Sequence, residues 1–215
     1  MKTAIESFHN NIKRVHDLTE AYTILVNCEP TKDFSDVLRA QYVLAISALD
    51  MFIHNIIRAG MVEILQGNRK QTEEYQKFSV TMSLINFDER YGWFESEVRR
   101  RLGKETYQNP YQIFEGMKLV FDDKPKSMRD SRLWKEVAEK IGKNSREITN
   151  TLDAVVQRRN KIVHEADIKP TPTMPGILWE IEAATVTEMI DFIEKIVEAI
   201  YNVLRTSDKN MYHIG

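Results

Sequence analysis

The sequence predicts an all-α helical bundle, and three features carry that expectation. The eight glycines and six prolines sit mostly between long segments, helix-capping residues open several of those segments, and apolar residues recur within them at helical spacing. A first helix is expected from about Ala4 to Asn27, ended by the Glu29-Pro30 step, which disfavours helix just before the proline. A long central helix begins near Asp33 or Ser35, either of which suits a cap, and continues to Gly67. A third runs from Thr72 to about Phe87. Shorter helices follow over Trp93–Leu102 and Pro110–Val120, divided by Gly103 and Asn109-Pro110. Asp130 or Ser131 caps the segment RLWKEVAEKI and Gly142 stops it. Asn144 or Ser145 then restarts a helix that extends to Asp167. After the loop IKPTPTMPG comes a last helix, with Ile181, Met189, Ile190, Ile193, Ile196, Val197, Ile200 and Leu204 as its apolar stripe.

Composition narrows the functional classes. The 215 residues contain no Pro/Gly/Ser-rich linker, so a single domain over 1–215 is expected. Hydrophobic residues at 42 % and charged residues at 29 % exclude disorder, collagen and coiled-coil rods. A net charge of −2 excludes a polycation drawn as a whole to nucleic acid or anionic membranes, so any nucleic-acid site must be a local patch. Cys28 is the only cysteine, which excludes a disulfide framework and a thiolate zinc cage and fits a reducing cytoplasm. The N-terminus has no apolar stretch of signal-peptide type. The most apolar run, Val43 to Ile57, includes Asp50 and His54 and falls short of the roughly 20 residues needed to span a bilayer. A soluble protein without a membrane partner is therefore expected.

Charge is unevenly spread. Residues 92–146 carry 13 Lys/Arg against 9 Asp/Glu, whereas 178–204 carry 6 acids against Lys195 alone. Solvated helix faces account for such runs in most proteins. The functional reading is that Arg99, Arg100, Arg101 and Lys104, with Lys124, Lys126, Arg129 and Arg132, line a path for a polyanion.

The sharpest anomaly lies in the helix from Asn144 to Asp167. Ile148, Leu152, Val155, Val156, Ile162, Val163 and Ala166 fall on one arc about 120° wide at roughly 100° per residue, and Arg159 lies in the middle of it. A guanidinium cannot lose its proton, so its burial needs anionic or multiply hydrogen-bonding partners. Gln157, Asn160 and His164 form an adjoining polar strip, with Asn160 and His164 side by side at i, i+4. In the central helix Ser47, Asp50, His54 and Arg58 make a polar seam. Asp50 is the only acid between Arg39 and Arg58, and is the expected partner that holds Arg159, with His54 beside it as support. The simpler alternative pairs Arg159 with a buried acid for structure alone and leaves His164 an ordinary surface histidine.

Arg159-Asn160-Lys161-Ile162-Val163-His164, on a late helix of an all-α domain, resembles the arginine-polar-x-x-x-histidine motif of the HEPN superfamily. The central helix reading LRAQYVLAISALDMFIHNIIR is similar to that of the RiboL-PSP-HEPN branch, where an Ala-Leu-acid step precedes an aromatic residue and a histidine. The resemblance rests on residues 35–66 and 145–167. It implies a helical bundle that dimerises through its motif helices and cuts single-stranded RNA without metal or other cofactor, with Arg159 and His164 as catalytic pair and Asn160 as the polar residue between them. Arg158, just before the motif, and Lys161, within it, are further expected RNA contacts, together with Arg99, Arg100 and Arg101. Whether such a protein is a toxin held by an antitoxin or regulatory protein, an anti-phage effector or a processing enzyme is left open.

Chemistry supports these roles. RNA cleavage requires deprotonation of a 2′-OH, protonation of the leaving 5′-oxygen and neutralisation of charge at pentacoordinate phosphorus. Histidine suits the proton transfers and arginine the phosphoryl oxygens. Arg159 and His164 point about 140° apart on an ideal helix, so a symmetric pairing of two motif helices gathers them more easily than one chain does. Two rivals stand beside the nuclease: a non-catalytic module that binds nucleotide or RNA and pairs with another protein, and a purely structural dimerisation module.

Other chemistries find little support. Glu6-x-x-His9 has the spacing of di-iron bundles but no second copy, and His9, His16 and Glu20 share a face without a further ligand set. There is no Walker loop, dinucleotide glycine turn, Gly-x-Ser-x-Gly elbow or zincin motif. Trp93, Trp134 and Trp179 read as core or interface anchors rather than base-stacking platforms.

Overall fold

The computed structural model describes residues 1–80, 85, 91–170 and 176–209. Among them the chain forms eight α-helices and no strand, with one isolated antiparallel bridge between Ile168 and Leu178. The helices are α1 (Lys2–Cys28), α2 (Ser35–Leu65), α3 (Glu73–Gln76), α4 (Gly92–Leu102), α5 (Pro110–Met117), α6 (Arg132–Ile141), α7 (Ser145–His164) and α8 (Ala183–Lys209), with a short 3-10 turn at Met128–Asp130.

α2 is the axis of the bundle, packing against α1, α8, α4, α7 and α5. That position follows from its residues. Leu38, Tyr42, Ile46, Leu49, Ile53, Ile56, Ile57, Met61 and Ile64 are all buried, more than one stripe can hold, so the helix must be covered on several sides. Each such side chain contributes roughly 1.5–3 kcal/mol of burial before entropy is charged against it. By length and composition α2 could cross a membrane, a longer apolar run than residues 43–57 suggested, but 56 % of its most apolar window is buried inside the bundle. α1 lays Ala4, Ile5, Phe8, Ile12 and Val15 against it, and Gln41 of α2 donates to Thr19 Oγ1 at 2.6 Å.

The starts and stops follow local chemistry. Thr72, Asn109, Ser131 and Asn144 each accept a backbone N–H from the first turn of the helix they precede. Gly142, at φ 75°, ends α6 in a left-handed turn whose next N–H reaches the Ala138 carbonyl at 3.0 Å. α5 meets α2 so closely that a Cβ on Gly116 would lie 2.5 Å from Tyr107 and 2.7 Å from Ile57.

Two expectations need correction. The helix expected over Thr72–Phe87 stops at Gln76 and residues 77–80 are not helical, while most of the remainder lies outside the described residues. The reason is aromatic packing: Tyr75 and Phe78 both meet the edge of Phe94, and Arg101 lies 5.2 Å over Phe78, which holds the chain down onto α4. The helix expected over Pro110–Val120 ends at Met117, because Val120 and Phe121 turn inward and are buried. Trp134 is buried as expected, its Nε1 donating to the Pro110 carbonyl at 3.3 Å.

Candidate active site

α7 divides into two halves with different surroundings. Asn144 caps it, and Ile148, Thr149, Leu152, Val155 and Val156 are buried against the bundle. From Gln157 to Ala166 no residue is buried. The apolar arc inferred from sequence therefore holds only to Val156: Ile162 is half-buried, Val163 is 45 % exposed, and Ala166 lies past the helix end at φ 49°. The half that carries Arg159, Asn160 and His164 lies at the margin of the core, where Ile162 still packs against it.

Arg159 is half-buried, and its Nη1 donates to the side-chain oxygen of Asn160 at 3.2 Å. Its Nε is buried without a hydrogen-bond partner, and no carboxylate of a described residue pairs with it. His164, the last residue of α7, is exposed and makes no hydrogen bond to a described residue. An arginine with unsatisfied donors and an open imidazole at one helix end can bind an anion and exchange protons with what it holds.

The expected partner of Arg159 is corrected. Asp50 accepts instead from the Tyr107 backbone N–H at 2.6 Å and from Gln108 Nε2 at 3.2 Å, fixing the loop before α5. His54 lies 3.7 Å from Asp50 and stacks edgewise on Tyr107, so both supporting residues serve that loop. Burial, then Glu105 and Asp50, pushes the Tyr107 hydroxyl up to about 12, keeping it protonated. Arg58, the end of the same seam, pairs with Glu95 and Asn55.

The acid that matters beside the motif is Asp167, which lies outside the polar seam of α2. It is fully buried, at φ 58°, and takes three hydrogen bonds: one from Arg39 Nε at 2.8 Å and two from the forked guanidinium of Arg158, the Nη2 bond at 2.8 Å. Arg39 also donates to Ser35 Oγ at 2.6 Å and the Trp179 carbonyl at 2.8 Å, while Arg158 reaches the Glu180 carbonyl at 3.2 Å. Tyr42 lies buried within reach of the Arg158 charge, and burial pushes its hydroxyl up to about 12. Arg158, expected to contact RNA, is thus a structural ion-pair partner. Sequence reasoning missed this trio because its members lie 128 and 9 positions apart. The one local signal was Asp167 itself, a residue type that tolerates a left-handed turn after a helix.

The other expected RNA contacts divide. Lys161 extends over the Trp179 ring at 5.0 Å, with Lys169 at 5.5 Å over the same ring, beside the motif. Arg100 and Arg101 are instead drawn onto the buried Glu97, at 2.8 and 2.6 Å, and Arg99 faces Glu95 at 4.0 Å. Hydrogen bonds from those two arginines hold the Glu97 carboxyl down to about 2. Lys124 pairs with Glu73, and Arg132 with Glu136. The arginines of the run at 99–101 and 132 are paired with acids three or four residues away, whereas no ion pair holds Lys104, Lys126 or Arg129 among the described residues. His9 and His16 meet Glu198 and Glu194 of α8 at 2.6 and 3.2 Å, and among the described residues no three metal-ligating side chains converge.

An all-α bundle whose late helix carries a half-buried arginine and an exposed asparagine and histidine in the order Arg-Asn-x-x-x-His has the architecture and motif of HEPN domains. The chain belongs to the RiboL-PSP-HEPN family, whose model matches residues 5–206. The comparisons with curated proteins and with solved structures return no match. Family membership accords with a ribonuclease-like or other HEPN-domain function.

Proposed function

We propose that the protein is a metal-independent endoribonuclease that cuts single-stranded RNA by 2′-OH attack, leaving a 2′,3′-cyclic phosphate and a 5′-OH. One observation carries this reading. Among the described residues Arg159 has no carboxylate partner and keeps a buried Nε without a hydrogen bond, five residues before an exposed histidine on the same helix, whereas its neighbour Arg158 is clamped by a buried carboxylate. Arg159 neutralises the phosphoryl oxygens, His164 moves protons to and from the sugar oxygens, and Asn160 orients the guanidinium it already touches. Lys161 adds charge for the neighbouring phosphates.

The active unit is a two-fold dimer through residues 145–167. Arg159 and His164 diverge by about 140° along one helix, so two copies supply complementary halves of one cleft. Val163, Ile168 and Leu178, at 45, 39 and 37 % exposure, form an apolar rim that a second copy covers. A toxin–antitoxin or anti-phage setting in the cytoplasm, with an antitoxin or regulatory protein as further partner, belongs to the same reading and rests on family membership.

The deciding experiment incubates the purified protein with total RNA and EDTA. Cleavage yielding cyclic phosphate ends, lost in His164→Ala, supports the nuclease. A substrate cut at a 2′-deoxy position contradicts the chemistry. The divergence of Arg159 and His164 also fits a non-catalytic module that holds an anion through Arg159, and binding without cleavage in the same assay favours it.

A further inference from the structure

Arg158 and Asp167 close a ring around the motif. The helix supplies one side, from Arg158 through His164. The left-handed pair Ala166 and Asp167, at φ 49° and 58°, turns the chain back, and the forked ion pair between Arg158 and Asp167 closes the loop. Every residue of Arg159–His164 lies inside it. The Lys161 carbonyl receives the N–H groups of both Glu165 and Asp167 at 3.0 Å, pinning the turn to the middle of the motif. The Asp167 carbonyl accepts from Trp179 N–H at 2.8 Å, and Arg39 ties the carboxylate to α2. A fully buried carboxylate with three guanidinium hydrogen bonds is costly to desolvate and has no packing value a hydrophobic residue could not supply more cheaply, so its return is geometric specification.

We infer that Asp167, through Arg158 and Arg39, is the positioning residue of the site: it fixes the rotation of the last turns of α7, and with it the directions of Arg159 and His164. This inference rests on the nuclease reading above. Arg159 follows Arg158 by about 100° of helix rotation, so anchoring one guanidinium in the bundle aims the next outward. His164 sits three residues before the buried carboxylate, at the point where the chain leaves the helix. Asp167 touches no reacting atom in this arrangement, and its effect reaches chemistry only through those two side chains.

Two variants test it in the full-length protein. Arg158→Lys keeps the charge and gives up the fork. Asp167→Asn keeps the size and the tolerance of left-handed backbone but cannot accept all three bonds. Both are expected to lower kcat on RNA on the order of 100-fold with KM near the native value, as for a small misplacement of catalytic groups. Hydrogen exchange at the Glu165 and Asp167 amides accelerates in both. Ile193→Val in α8 serves as the stability control and keeps native kcat. If Asp167→Asn does not fold, Arg158→Lys decides alone. A native kcat in Arg158→Lys, or an equal loss in the Ile193→Val control, overturns the positioning role while leaving the nuclease intact. A native protein that cuts no RNA overturns both.

Discussion

At the scale of single residues, the contrast between Arg158 and Arg159 is the most informative feature of the molecule. Adjacent in sequence, they occupy opposite electrostatic situations, one with a buried carboxylate and the other, among the described residues, with an asparagine oxygen alone. Replacing Arg159 or His164 by alanine is therefore expected to leave the melting temperature near native, since neither side chain pairs with a carboxylate of a described residue, His164 is exposed, and the buried Nε of Arg159 gives up no hydrogen bond when it is removed. RNA cleavage in each falls by at least about 100-fold, the scale of a lost general acid–base group. A quantitative gel assay beside a thermal melt checks both halves. Glu97 makes a separate prediction about acid. Its carboxyl is depressed from the usual 4.5 to about 2 in the folded protein, so its contribution to stability is complete above pH 4.5 and is lost as pH falls towards 2. Denaturant melts of Glu97→Gln should lack that part of the acid sensitivity. A native-like loss of stability between pH 4.5 and 2 in the variant contradicts the assignment.

At the scale of elements, α7 depends on its ends. Asn144 accepts the Glu147 N–H at 2.8 Å, and its replacement by alanine is expected to cost about 1 kcal/mol, measured as a lower denaturation midpoint with an unchanged slope. The contact of α5 with α2 is less forgiving. A methyl group at Gly116 meets Tyr107 and Ile57 at 2.5 and 2.7 Å, both in the interior, so Gly116→Ala is expected to destabilise by about 1–3 kcal/mol despite alanine's better helix propensity. A stabilised Gly116→Ala protein would mean that α5 can slide along α2. Because Asp50 holds the loop leading into α5, Asp50→Ala is expected to perturb this same region and to spare the α7 motif.

For the whole molecule, the exposed margin of α7 is the place where the proposed dimerisation and RNA binding can be tested. On the proposed function, the exposed apolar side chains Val163, within the motif, and Ile168 and Leu178, after it, predict a two-fold dimer by light scattering, disrupted by Val163→Asp. Two copies of Arg159 brought together repel one another. RNA binding by the dimer should accordingly weaken with salt, with a slope that becomes shallower in Arg159→Ala. A monomer that cleaves RNA at full rate, or binding indifferent to salt, contradicts the shared cleft.

Local chemistry made most of the bundle legible. Helix starts at Ser131 and Asn144, the stop at Gly142 and the stripe of α8 from Met189 to Leu204 are short-range events readable along the chain, whereas Ile181, expected in that stripe, lies before the helix. The Arg159–His164 motif was legible for the same reason, as six consecutive positions on one helix. What paired with what was decided only by tertiary structure. Asp50 looked like the partner of Arg159 because it was the sole acid in an apolar stretch, yet a loop 57 residues away took it. Asp167 became the central acid because a left-handed turn folded it back beneath Arg158 and onto Arg39 of another helix. The extent of the apolar arc was likewise beyond the sequence: periodicity marks a face, but only the length of the neighbouring helices determines where along α7 that face stops being covered.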